Sequence, residues 1–156
     1  MMPGVGAKAG VWLAALLLAG IVAQPAAAAS HQPSYLGAWL IAEAWPAPWV
    51  VSGDPATQPH DAELVGKTIV YERRRIVAPS PLACDKPNYA IRNPPPEGLF
   101  QGGLTAPAAQ AAALGFRGRT IRTLETGCEG WFEFHFIDAR TAMFALDNMV
   151  YTIRRQ

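Results

Sequence analysis

His135 and Glu133 stand two residues apart in the segment Trp131-Phe132-Glu133-Phe134-His135-Phe136-Ile137. In an extended chain that spacing puts both side chains on one face, roughly 7 Å apart along the strand. A carboxylate beside an imidazole can pass a proton or help hold a metal ion. The same alternation sends Phe132, Phe134 and Phe136 to the opposite face, where they would fill a core. The favoured expectation is therefore a solvated outer strand face carrying Glu133 and His135, with no catalytic residue. His31 and His60 fall near the start of the mature chain and in a Pro-rich stretch, so no metal site is expected. Ser30, Ser34, Ser52 and Ser80 sit in no nucleophile motif. Gln101-Gly102-Gly103 lacks the Lys and Ser/Thr of a phosphate loop. The chain is read as a non-enzyme without a cofactor.

Three further groups of residues could bind rather than react. Arg73-Arg74-Arg75 lies in a stretch read as one strand from Lys67 to Val77. Alternation turns Arg74 away from Arg73 and Arg75, and an inward Arg is costly unless paired. Arg74 is thus a candidate contact for an anion or acidic partner, set against a solvated strand end paired with Glu72. Trp45 and Trp49 stand among Pro46 and Pro48 in a Pro-rich stretch spanning 45–60. Stiff aromatic loops bind at low entropic cost, so Trp45 and Trp49 form either a binding lip or a plug. Cys84 and Cys128 are the only two cysteines. In an oxidising compartment an even count reads as a disulfide. Closing a loop of roughly 44 residues stabilises by about 4 kcal/mol in the chain-entropy model.

The elements that must position these residues are mostly strands. Trp131–Ile137, Ala142–Leu146 and Met149–Arg154 form a C-terminal three-strand meander. Asp147-Asn148 makes its second turn, because both residues tolerate positive φ. Gly37–Glu43, Lys67–Val77, Asn88–Arg92, Leu99–Leu104 and Arg119–Thr126 supply five more candidates, with Leu99–Leu104 at an edge. One helix is expected over Ala108–Leu114, capped by Thr105, with Pro107 near its first position and Gly115 at its end. At two turns it cannot stand alone and must pack on the sheet. The fold class is all-β: an antiparallel, roughly eight-stranded small barrel with one short helix and the meander.

Gly37-Ala38-Trp39 on the first strand, with Arg154 or Arg155 on the last, resembles the lipocalin and calycin pattern. It is also similar to the small bacterial protease-inhibitor barrels, which share the Gly-x-Trp start, a periplasmic address and one disulfide. The resemblance implies a barrel whose end is closed by a cation–π lid, Arg154 over Trp39.

Composition sets the remaining bounds. The chain has 156 residues, 51% hydrophobic and 16% charged, with a formal net charge of +1. It is too apolar for a disordered tail and too neutral for a generic nucleic-acid binder. Residues 1–29 read as a cleaved secretory signal peptide: Lys8, an apolar run from Ala9 to Ala23, a break at Gln24-Pro25, and Ala27-Ala28-Ala29 before a cut at Ser30. The run is shorter than a membrane span, so no stable anchor is expected after cleavage. Residues 30–156 then form one β-barrel domain, periplasmic or secreted, and expected to be monomeric. The functional expectation is a non-catalytic binding module for a small apolar ligand or an envelope protein partner. The alternative is an inhibitor of a secreted or periplasmic hydrolase, a protease or lysozyme.

Overall fold

Alternation in the last third of the chain builds the middle of one sheet. In the computed structural model, Met1 and residues 34–55, 63–130 and 132–156 are described. Apart from Met1, the leader assigned to 1–29 lies outside them, as do the cut before Ser30 and His31, His60 and Trp131. The fold is that of the unit Gln32–Gln156. Its strands are β1 (Gly37–Pro46), β2 (Thr68–Tyr71), β3 (Ile76–Val77), β4 (Ala90–Arg92), β5 (Thr123–Glu125), β6 (Glu133–Phe136), β7 (Thr141–Leu146) and β8 (Met149–Arg155). They pair antiparallel in the order β3-β2-β1-β8-β7-β6-β5-β4.

The ladder does not close by hydrogen bonds; the sheet curls into a half-barrel. Its curl is set by one apolar cluster that draws side chains from β3 at one edge and β5 near the other. Trp39, Ile41, Ile69, Tyr71, Leu124, Phe134, Phe144, Tyr151 and Ile153 all belong to it. Phe144 stacks on Tyr151 with centroids 5.0 Å apart, and Phe134 meets Phe144 at 5.2 Å and Tyr71 at 5.3 Å. Rings at these separations leave the concave side filled.

Two fastenings connect the edge regions. Cys84 pairs with Ile76 beyond β3, and its sulfur is bonded to Cys128 in the loop after β5, with the Cα atoms 6.1 Å apart. The Tyr89 hydroxyl, just before β4, donates to the Glu72 carbonyl in the β2–β3 turn at 2.9 Å.

The convex side is not bare. Met143 and Val150 face away from the first cluster and join a second one with Leu99, Phe100, Leu104, Ala111, Phe116 and Ile121. A 3-10 segment, Pro96–Gly102, and helix α1, Pro107–Ala113, form this cover. The register slips by one residue between Ile41 and Glu43 where β1 meets β8. That bulge changes the parity of β1. Trp39 and Ile41 point into the first cluster, while Trp45, four residues on, packs against the second.

Several sequence expectations change here. Leu99–Leu104 is not an edge strand, because Phe100 and Gln101 are in left-handed conformation and Leu99 is buried in the cover. Lys67–Val77 is two strands broken at Glu72–Arg75, so the Arg alternation argument lapses. Trp45 and Pro46 end β1 rather than opening a loop. The helix begins after Ala106, not on a Thr105 cap; Gln110 reaches back to accept the Ala106 N–H at 2.8 Å. Gly115, at φ +95°, ends it as expected, and the Phe116 N–H closes back on the Ala111 carbonyl at 3.0 Å. That closure delivers the Phe116 ring to the second cluster. Eight strands is the right number, reached by losing one expected strand and splitting another.

Candidate functional site

The convex face carries a cleft of about 380 Å³ between the cover and the β7–β8 hairpin. Trp49, Phe100, Gln101, Glu133, His135, Asp147 and Asn148 line it. Each is placed by a local rule. Asp147 and Asn148, at φ 50° and 60°, make the two-residue turn that tight hairpins prefer. Asn148 Oδ1 accepts the Trp49 indole N–H at 3.0 Å, and the Asn148 carbonyl accepts the Ala47 N–H at 2.8 Å. Trp49 lies over Gly103, where an added Cβ would stand 3.1 Å from the ring, so a larger residue would require the indole to give by a few tenths of an ångström.

His135 is the post beneath the cleft, fully buried at 0% exposure. Its Nε2 accepts the Phe100 N–H at 3.0 Å, and its Nδ1 lies 2.9 Å from Thr123 Oγ1. Thr123 donates its own proton to the Ile121 carbonyl at 3.3 Å. Nδ1 therefore carries the hydrogen, and the ring is neutral. Burial pushes its pKa down to about 3. The ring also meets Phe100 edge-on at 4.9 Å. These contacts hold the left-handed Phe100–Gln101 pair, a conformation costing non-glycine residues about 1 kcal/mol or more each. The result is Gln101 exposed at the cleft margin.

Glu133 is the unsettled group. Its Oε2 is 3.8 Å from His135 Nε2, but a neutral ring already accepting a hydrogen bond makes no ion pair with it. Burial raises the Glu133 pKa, and cross-strand Glu125 raises it further. Glu125 has a counter-charge in Arg92 at 3.3 Å. Glu133 accepts no hydrogen bond from any described residue.

Of the residues singled out in the sequence, Trp49 reaches this cleft. Trp45 packs nearby on the second cluster without lining it. Arg74 is exposed in the β2–β3 turn, away from the lining; its neighbour Arg75 pairs with Glu72 at 2.7 Å. The lid over Trp39 is Arg155, its guanidinium 5.7 Å from the ring centroid, and not Arg154. Arg154 alternates to the other face and pairs with Glu43 at 2.6 Å. Cys84 and Cys128 are bonded.

The solvated setting expected for His135 is overturned by the cover on its face. The uninterrupted apolar run Ala142-Met143-Phe144-Ala145-Leu146 was the signal for that, since a strand apolar on both faces is buried on both. Among the described residues no three His, Cys, Asp or Glu side chains gather to hold a metal ion, and no helix is long and apolar enough to cross a membrane. With both imidazole nitrogens engaged, the arrangement suits holding a ligand group better than moving a proton. No protein family, curated protein or solved structure matches this chain, so the cleft is read from its own geometry.

Proposed function

We propose that the chain is an exported, non-catalytic binding module that engages an envelope protein through its convex surface. The cleft beside Trp49 and Gln101 is the contact. The observation carrying this is the filled concave side: Trp39, Phe134 and Phe144 are at most 2% exposed and in mutual ring contact with their neighbours, where a carrier barrel would hold an apolar ligand. The disulfide supports passage through an oxidising compartment.

Inhibition of a secreted or periplasmic hydrolase is the second reading. It is favoured by Gln101, a strained and exposed residue pinned from beneath, as a segment offered to a cleft would need to be. It also agrees with the likeness of Gly37-Ala38-Trp39 to the inhibitor barrels, a start that the lipocalin pattern shares.

Native mass spectrometry of the protein from its own compartment tests both. The expected species begins at Ser30, weighs two hydrogens less than the reduced chain and carries no small molecule. A stoichiometric apolar adduct would overturn the surface reading. A photo-crosslinking residue at Gln101 should capture a defined partner, while one at Arg74 should not. Protection of that partner's substrate would distinguish inhibition from simple binding.

A further inference from the structure

We infer that the cleft takes a cationic side chain of the partner, a guanidinium or an ammonium, held by the Glu133 and Asp147 carboxylates against the Trp49 ring. The inference rests on the reading of this cleft as a partner contact and names what enters it.

The lining has two carboxylates and no Lys or Arg. Three carboxylates elsewhere have an Arg beside them: Glu43 with Arg154, Glu72 with Arg75, Glu125 with Arg92. Neither Glu133 nor Asp147 has a cationic partner among the described residues. Three donors that converge here are already used. The Trp49 indole N–H goes to Asn148, the His135 Nδ1–H to Thr123, and the Phe100 N–H to His135. An anion would meet like charge; a multi-donor cation would meet free carboxylate oxygens.

Glu133 adds a second line of argument from position. It is held half-buried beside cross-strand Glu125 and above an imidazole that cannot charge, a setting that disfavours its ionised form. A positive group entering the cleft removes that penalty. Trp49 and Phe100, with centroids 5.8 Å apart, supply an aromatic wall on which a guanidinium stacks and a methylene stem packs. The volume, about 380 Å³, lies at the small end of the range for ligand pockets, as suits one side chain.

The test uses the mature, oxidised protein and three probes in ¹⁵N–¹H NMR titrations: Nα-acetyl-arginine methylamide, its neutral isostere Nα-acetyl-citrulline methylamide, and N-acetylglucosamine. The arginine probe should give saturable shifts at the Trp49 indole and at the Gln101, Asp147 and Asn148 amides. The citrulline probe should bind at least about tenfold more weakly. Glu133→Gln and Asp147→Asn, checked for folding by near-UV circular dichroism, should each weaken the arginine probe severalfold. Equal binding of citrulline, preference for the sugar, shifts elsewhere, or no shift at all would overturn the inference. The Gln101 crosslink separates the two levels. A partner still captured by the Glu133→Gln/Asp147→Asn protein leaves the surface reading standing and overturns the cation. A wild-type protein that captures nothing overturns the surface reading itself.

Discussion

His135 turns a strand residue into a strut. Its two hydrogen bonds join β5, β6 and the Phe100–Gln101 turn, and its neutrality makes native stability depend on pH. The unfolded chain protonates this ring near 6.5 and the native chain only near 3. Between those values the unfolded state holds more protons, so stability falls as pH is lowered. The loss is expected to be about 2 kcal/mol between pH 7 and pH 5. Urea melts at the two pH values measure it, and His135→Gln should flatten the slope whatever it does to stability at pH 7. Glu133 works in the opposite sense. Its raised pKa weakens the native state as pH rises through it, so Glu133→Gln is expected to raise Tm at pH 7. Tyr71 offers a third check. Its hydroxyl is buried among the first-cluster rings with no hydrogen-bond partner among the described residues. Tyr71→Phe should be neutral or stabilising by up to about 1 kcal/mol, seen in the same melts. At this scale the sequence showed which faces Glu133 and His135 share, and it showed the turn at Asp147-Asn148. It could not show that their face is covered, because the covering Phe100 lies 35 residues away from His135. Nor could it choose Arg155 over Arg154, since the β1–β8 register depends on a bulge.

Elements were legible where one period ran long enough. The meander β6–β7–β8 was read to within two residues at each end, and α1 to within one. The cover was misread because Leu99 and Phe100 are apolar neighbours in a segment whose shape is fixed by left-handed residues, which carry no periodicity. Pro96–Gly102 and α1 are both short, and α1 has seven residues, so neither holds its shape without the sheet. The cover should therefore detach as a unit before the half-barrel unfolds. Ala111 is 2% exposed on the buried side of α1. Ala111→Glu is expected to release the cover and let His135 titrate toward 6.5 while the sheet persists. The His135 ring proton, followed against pH by NMR, reports this directly; an unchanged titration in a folded variant would show that the cover is not a separate unit.

For the whole molecule, the strand count and the antiparallel class were readable, and the disulfide pair was forced by having two cysteines. The open ladder was not readable, because alternation is the same in a closed barrel and a fastened half-barrel. Since Cys84–Cys128 connects regions at opposite ends of the sheet order, Cys84→Ser/Cys128→Ser should cost about 4 kcal/mol, a large share of the net stability of a domain this size. A denaturant midpoint that barely moves would mean that Tyr89 and the core hold the curl without the bridge.

The longest pairing in the sheet has a consequence for how the protein comes into being. β1 finds its main neighbour in β8, with Trp39 opposite Arg155 and Pro46 opposite Met149. A ribosome makes β1 early, and its central partner follows only after more than a hundred residues. Every nascent length short of Met149 lacks the strand on which both β1 and β7 lean, so the emerging polypeptide has no complete sheet to settle into. A chain halted before β8 should be digested by protease as readily as an unfolded one. Such delayed completion keeps a polypeptide threadable, which is the condition that passage through a narrow translocation channel demands.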